Sequence, residues 1–324
     1  MSIEKIPDTK YQIQNTDKIL VILGPTSSGK SDIAIKLAKK FDGEIISADS
    51  RQIYRGMDIG TGKVPKSKVQ GKIKNYKNIY FSSGIPHHMI DIISPRTDYN
   101  VTKFKHQAEK IIEDILHREK LPIICGGTGF WIQAIVDDVN FPEVKPDWKM
   151  REKLEKHSAV KLFTMLKKLD PDRAKSIDQK NKVRLIRAIE ICKTIGKVPN
   201  VIHDLRFKKY EFLQLGIRLL KEKLYSNIEK RVEKRFRQGM IDEVKSLHDK
   251  NKLSWKKIQS FGLAYFWIPL YFQNKITHDE LTEKVMNAEK KYAKRQITWF
   301  KRDKRIKWLK NFKDIKKETE KFLI

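Results

Sequence analysis

The octet Gly24-Pro25-Thr26-Ser27-Ser28-Gly29-Lys30-Ser31 constrains this chain more than any other stretch. It fits the phosphate-binding pattern G-x-x-x-x-G-K-[ST] without a gap. The apolar run Ile19-Leu20-Val21-Ile22-Leu23 before it reads as a buried strand. Asp32 to Lys40 after it carries Ile33, Ile35, Leu37 and Ala38 on a helical face. Strand, loop and helix in that order are the context such a motif requires. Its glycines let backbone N–H groups turn inward around phosphate oxygens, and the helix N-terminus adds the positive end of a dipole. Gly24, Pro25, Thr26, Ser27, Ser28 and Gly29 are therefore expected to cradle a nucleotide-like di- or triphosphate. Lys30 would supply a point charge and Ser31 a ligand for Mg2+. The alternative is a glycine-rich turn that caps an ordinary helix.

Strand and helix patterns go on alternating after this unit. Glu44-Ile45-Ile46-Ser47-Ala48 reads as a second strand ending at Asp49, and Val101 to Lys120 as an amphipathic helix. Pro122-Ile123-Ile124-Cys125 is a further strand, closed by Gly126-Gly127-Thr128-Gly129. Such alternation implies a parallel sheet with its sites at the carboxyl ends of the strands. Gly24, Asp49 and Gly126 should gather there. From Pro142 to about Arg206 the strand signal fades, and Lys149–Leu169 and Lys182–Thr194 read as helices. Glu211 to Ile217 restores strand character. Long basic helices follow at Glu222–Asp249 and from Leu281 to about Arg302, and the polar tail after Phe312 is expected to fray. The expected fold is α/β: a P-loop NTPase-like core, a parallel sheet flanked by helices, over residues 1–141 and 207–324, with a helical insertion at 142–206.

Charge narrows the partners. Lys and Arg number 69 against 40 acids in 324 residues, a net charge of +29. An excess that large repels itself and commonly meets a polyanion, although a solvated basic surface would give the same count. Residues Lys290 to Lys310 hold ten Lys or Arg and one acid, Asp303, interleaved with Tyr292, Trp299, Phe300 and Trp308. That mixture suits RNA, whose phosphates bind charge and whose unstacked bases bind rings. Trp299 and Phe300, at helical spacing, are assigned to the core. Cys125 and Cys192 make neither a disulfide framework nor a metal cluster and fit a reducing cytoplasm. Met1 to Lys18 has no signal-peptide core. Phe261 to Phe272 is too short to span a bilayer and reads as a buried segment. His87-His88 resembles a metal pair, but adjacent residues point apart on a regular element, so a structural or substrate-lining role is expected.

An ordered series of strings, from about residue 19 to 303, resembles the tRNA dimethylallyltransferases, also called tRNA isopentenyltransferases, in their shorter bacterial form. The series begins with the phosphate-binding octet. It continues with Ile46-Ser47-Ala48-Asp49-Ser50-Arg51-Gln52-Ile53-Tyr54 and Met57-Asp58-Ile59-Gly60-Thr61-Gly62-Lys63. Pro86-His87-His88-Met89-Ile90-Asp91, Gly126-Gly127-Thr128-Gly129 and Arg184-Leu185-Ile186-Arg187-Ala188-Ile189-Glu190 follow, and then Tyr292 to Phe300. The resemblance implies transfer of a dimethylallyl group from dimethylallyl diphosphate to the exocyclic amine of the adenosine immediately 3′ of a tRNA anticodon. It changes the expected phosphate ligand from ATP to an allylic diphosphate. It also implies a Mg2+ cofactor, the tRNA anticodon stem-loop as partner, no membrane, a monomer and a cytoplasmic setting.

Residue roles carried over from the resemblance are as follows. Thr26 and Lys30 hold the leaving diphosphate, and Arg231, at i, i+4 from Arg235, reaches it too; the alternative for Arg231 is a surface ion pair with Glu229 or Glu233. Asp49 matches the general base, with helix capping or support of Mg2+ as alternatives. Asp49, Ser50, Arg51, Gln52 and Thr128 match positions around the target base. Arg151, Arg184 and Arg187 match contacts made by the insertion, which is expected to bind tRNA. Gly262, Lys294, Arg295 and Gln296 complete the tRNA set. The chain departs from the family at Leu263 and Ala264, where an aromatic and a basic residue are usual, and at Trp131, which replaces a tyrosine. Three rivals remain: a small-molecule P-loop kinase, a transferase acting on free adenine nucleotide, and a non-catalytic RNA-binding protein.

Overall fold

A computed structural model describes residues 18–67, 79–199 and 210–324. The stretch 1–17 and the expected boundary at 206 and 207 lie outside the described residues. Seven strands form one sheet: β1 (Lys18–Leu23), β2 (Gly43–Ala48), β3 (Tyr80–Ser82), β4 (Ile85–His88), β5 (Leu121–Gly126), β6 (Glu211–Ile217) and β7 (Lys307–Leu309). Their order is β3-β4-β2-β5-β1-β6-β7. Every pairing is parallel except the short β3–β4 hairpin. β1 lies between β5 and β6, with Leu20 opposite both Ile123 and Leu213. It is buried throughout, as a continuous apolar run requires of a strand covered on both faces. Period-two alternation sends Ile19, Val21 and Leu23 into one core and Leu20 and Ile22 into the other. This is a P-loop NTPase-like α/β fold.

The chain divides into two compact units, Met1–Val136 with Arg206–Ile324, and Asp137–Leu205. In the first, α1 (Lys30–Lys40) leaves the phosphate-binding loop and covers one face through Ala34, Leu37 and Ala38. α2 (Val101–His117) buries Phe104, Ala108, Ile112 and Ile115, an i, i+4, i+8, i+11 stripe, in the other core. α3 (Gly129–Val136) follows β5, and its Trp131 stacks on Phe104 with ring centroids 4.2 Å apart.

The second unit is helical. The expected helix Lys149–Leu169 is two, α4 (Trp148–Glu155) and α5 (Ala159–Leu169). Ser158 ends the continuity because its hydroxyl accepts from Lys161 N at 3.2 Å and caps the new helix. α6 (Pro171–Ser176) and α7 (Lys182–Ile195) complete it around Leu154, Leu162, Leu166, Leu185 and Ile189.

Back in the first unit, the expected helix Glu222–Asp249 is also two, α8 (Lys221–Arg237) and α9 (Met240–Asp249). Gly239 separates them at φ +91°, a left-handed conformation that side chains resist. α10 (Trp255–Gln259) and α11 (Ala264–Phe272) follow, then α12 (His278–Phe300), opened by a capping box between Thr277 and Glu280. The tail expected to fray is a helix, α13 (Phe312–Leu323). Ile315, Thr319 and Leu323 recur every fourth residue on its buried side, and Ile315 and Leu323 join the core containing Leu213 and Leu215 of β6. Among the described residues no helix is long and apolar enough to cross a membrane.

Candidate active site

A cleft of about 680 Å³ opens at the carboxyl ends of β1, β2 and β5. The loop between β1 and α1 forms its floor. Thr26 N donates to Gln296 Oε1 at 2.8 Å, and Gln296 Nε2 donates to the Gly127 carbonyl at 2.9 Å. One buried amide on α12 thereby ties the loop to the end of β5. Ser27 holds φ +61°, a strained value for a residue with a Cβ, and its carbonyl accepts from Asn227 on α8 at 3.3 Å. Lys30 Nζ bends back to the Pro25 carbonyl at 3.2 Å. Burial pulls its pKa down, with the nearby Arg231 adding to the effect. The Ser28 hydroxyl is buried without a hydrogen-bond partner among the described residues. An ammonium and an unsatisfied buried hydroxyl on one phosphate-binding loop suit an oxyanion.

α8 supplies a second cationic wall. Asn227, Lys230, Arg231, Lys234 and Arg235 all line the cleft, at spacings of three and four that place them on one helix face. Arg231 Nη1 reaches Thr26 Oγ1 at 3.3 Å, and Nη2 donates to the Gly62 carbonyl at 3.2 Å. Burial first, and then the like charge of Arg235, lower its pKa to about 10. Arg235 pairs with buried Glu289 at 2.9 Å, while its Nε finds no partner among the described residues. Glu229 and Glu233 pair instead with Lys290 and Arg237. The arginines therefore face the cleft and not a surface ion pair.

Asp49 closes β2 and lines the same cleft. Its Oδ1 accepts from Arg51 N at 2.9 Å and Gln52 N at 3.4 Å, fixing the turn, and no hydrogen bond to Oδ2 is made among the described residues. Tyr292 on α12 also enters the cleft, where burial and then the Asp49 charge raise the pKa of its hydroxyl. Cys125 at the end of β5 is held as a thiol, pushed up to about 11 by burial.

Of the positions expected around a base, Ser50 N donates to Thr128 Oγ1 at 3.1 Å. Arg51 Nε donates to the Phe261 carbonyl at 2.7 Å. Gln52 bridges Ser47 Oγ at 3.1 Å and the Gly62 carbonyl at 3.4 Å. Gly262 lines the cleft beside Leu263, which takes φ +50° and ψ −132° to start α11. Lys294 and Arg295 are exposed on α12. Gln296, expected with them as a tRNA contact, is 6% exposed with both ends of its amide bound inside the protein, where it acts as a clamp.

In the second unit Arg184 is exposed, but Arg151 and Arg187 both pair with buried Glu190, at 2.7 and 2.5 Å. Burial alone would raise the Glu190 carboxyl; these two arginines keep it below its usual range. Arg151 and Arg187 thus have an internal partner that the reading as RNA contacts omitted. His87 and His88 diverge to separate partners, His87 Nδ1 to the Ile85 carbonyl at 2.9 Å and His88 Nε2 to Glu44 at 2.7 Å. No group of metal-ligating side chains forms among the described residues.

Sequence reasoning missed Asn227, Lys230 and Lys234, although the spacing on α8 carried their signal. It also missed Glu289 and Glu243. Glu243 binds backbone N–H groups about 185 residues away in sequence, which no local pattern reveals.

Residues 52–303 match the family model described as IPP transferase. A tRNA dimethylallyltransferase of Acetivibrio thermocellus is 38% identical over 305 residues, covering 90% of this chain and 91% of its own. One from Finegoldia magna is 40% identical over 307 residues, covering 92% of each chain. Among solved structures, the full-length tRNA isopentenylpyrophosphate transferase from Bacillus halodurans superposes with a TM-score of 0.67 at 31% identity, covering 95% of this chain and 97% of that one. A eukaryotic dimethylallyltransferase acting on tRNA gives a TM-score of 0.68 at 26% identity, covering 87% and 69%.

Proposed function

The chain belongs to the IPP transferase family, and on that footing we propose how its cleft transfers a dimethylallyl group from dimethylallyl diphosphate to the exocyclic amine of the adenosine 3′ of a tRNA anticodon. The observation that carries the assignment of parts is their placement. The phosphate loop, Arg231 and the Asp49 carboxylate line one cleft. The diphosphate lies on the N–H groups of Thr26 to Ser31, between Lys30 and Arg231. As the bond from the allylic carbon to oxygen breaks, its electron pair stays on the diphosphate, and these cations stabilise the growing charge. The adenosine nitrogen forms the new bond to that carbon and loses a proton to Asp49. The base leaves the anticodon-loop stack to reach the cleft.

Ser31, Asp32 and Asp49 put hydroxyl and carboxylate oxygens at the cleft. Such hard donors fit Mg2+, which binds through few protein ligands and the substrate's own phosphates. Ser31 would hold it, and its charge would further neutralise the diphosphate. Arg184, Lys294 and Arg295 are exposed basic side chains that suit RNA phosphates, and the helical unit serves tRNA binding. The enzyme works as a cytoplasmic monomer.

The test is mass spectrometry of a synthetic anticodon stem-loop RNA after incubation with the protein, Mg2+ and dimethylallyl diphosphate. A mass gain of one dimethylallyl group on that adenosine is expected. RNA left unmodified alongside rapid ATP hydrolysis would support a P-loop kinase or nucleotidase instead.

A further inference from the structure

The segment Met57 to Lys63 stands out in the sequence, yet the reaction described above gives it no part. Its backbone is gripped from two sides. On one side is Glu243 of α9. Its Oε2 accepts from Asp58 N at 2.7 Å and Ile59 N at 2.6 Å, and its Oε1 accepts from Gly60 N at 3.0 Å and the Tyr265 hydroxyl at 2.7 Å. Three consecutive amides converge on one carboxylate, an arrangement that favours an anion. Tyr265 closes over Gly60 so tightly that a Cβ there would sit 2.6 Å from its hydroxyl oxygen.

On the other side is the cleft. Two residues further along, the Gly62 carbonyl accepts from Arg231 Nη2 at 3.2 Å and from Gln52 Nε2 at 3.4 Å. A Cβ at Gly62 would meet Arg231 Nη2 at 1.9 Å, so the guanidinium lies directly against this backbone. Arg231 needs such support. It is a half-buried cation beside a second one, Arg235, and its other acceptor, Thr26 Oγ1 at 3.3 Å, is a rotatable hydroxyl. A carbonyl fixed in space holds the guanidinium aimed across the cleft before any diphosphate arrives.

We propose that Glu243 is a positioning residue for the transfer reaction: by anchoring the Asp58–Gly60 amides it sets the Gly62 carbonyl that holds Arg231 toward the diphosphate. The proposal rests on the reading of the cleft as a diphosphate-leaving site. Glu243→Gln leaves one acceptor oxygen and turns an amide NH2 toward backbone donors, so the arrangement opens and Arg231 loses its fixed partner. Misplacing a charge by about 1 Å is worth roughly 10²-fold in rate.

The experiment is a double-mutant cycle on single-turnover transfer to the anticodon stem-loop RNA at saturating dimethylallyl diphosphate. Glu243→Gln and Arg231→Ala should each slow transfer by about 10²-fold, and the double variant should fall no more than about threefold below Arg231→Ala. Multiplied losses in the double variant, or a Glu243→Gln rate within about threefold of wild type, would overturn the proposal. Glu243→Asp runs the same cycle if the glutamine variant does not fold, since it keeps the charge and withdraws the carboxylate by one methylene. A wild-type protein that transfers nothing sinks the reading of the cleft itself; an active one with independent losses sinks only the role of Glu243.

Discussion

Asp49 holds two backbone N–H groups with one oxygen and leaves the other toward the cleft. Asp49→Asn keeps an oxygen for the turn but cannot take a proton at neutral pH. Transfer measured in a single turnover should fall by about 10²–10⁴, with dimethylallyl diphosphate and RNA still bound. A rate within about threefold of wild type would remove Asp49 from the proton path and leave leaving-group stabilisation as the source of catalysis. His87 offers a pH readout. It is 3% exposed, and burial lowers its pKa from 6.5 to about 4. Protonation is thus disfavoured in the fold, and the unfolded chain binds the proton more tightly. The His87 contribution is full above about pH 6.5 and falls as pH drops toward 4, by up to about 1.4 kcal/mol per pH unit. Denaturant melts of wild type and His87→Gln between pH 4.5 and 7 should show a shallower loss in the variant; parallel curves would count against a neutral buried imidazole. At this scale the sequence was readable where chemistry is contiguous, as in Thr26 to Ser31 and at Asp49. The clamp made by Gln296 was not legible, because its basic neighbours pointed to RNA while its own partners lie 270 and 169 residues away.

Elements were legible in proportion to their apolar contrast. β1, β2, β5 and β6 are buried runs and announce themselves; β3, β4 and β7 are three or four residues long and carry no pattern. Two helix breaks were missed because each depends on one residue, Ser158 as a cap and Gly239 as a left-handed turn. α13 was read as a fraying tail because Lys and Glu dominate it, yet a stripe one residue wide suffices when it meets β6. Ile315 on that stripe is fully buried. Ile315→Ala should therefore cost about 2–5 kcal/mol in a urea melt, the usual loss for truncating a packed core residue. A change under about 0.5 kcal/mol, typical of a surface site, would restore the frayed reading.

Across the whole molecule a +29 charge suits an RNA substrate. If roughly 6–10 phosphates are contacted, affinity should fall by about 10³–10⁵ between about 50 and 200 mM salt, taking duplex coefficients as an upper guide. A nearly flat titration would detach the charge excess from RNA. The Gln296 clamp bears on something different, the order in which a ribosome makes this protein. Its octet emerges ahead of β6 and α12, with β1 beside it. β1 lacks its neighbour β6 until Glu211–Ile217 has been made, and Thr26 N lacks its acceptor until α12 has been made as well. A nascent chain therefore carries the phosphate-binding sequence long before it owns the strand and the amide that hold that loop in place. The clamp on the loop therefore forms only once a helix some 270 residues downstream has arrived.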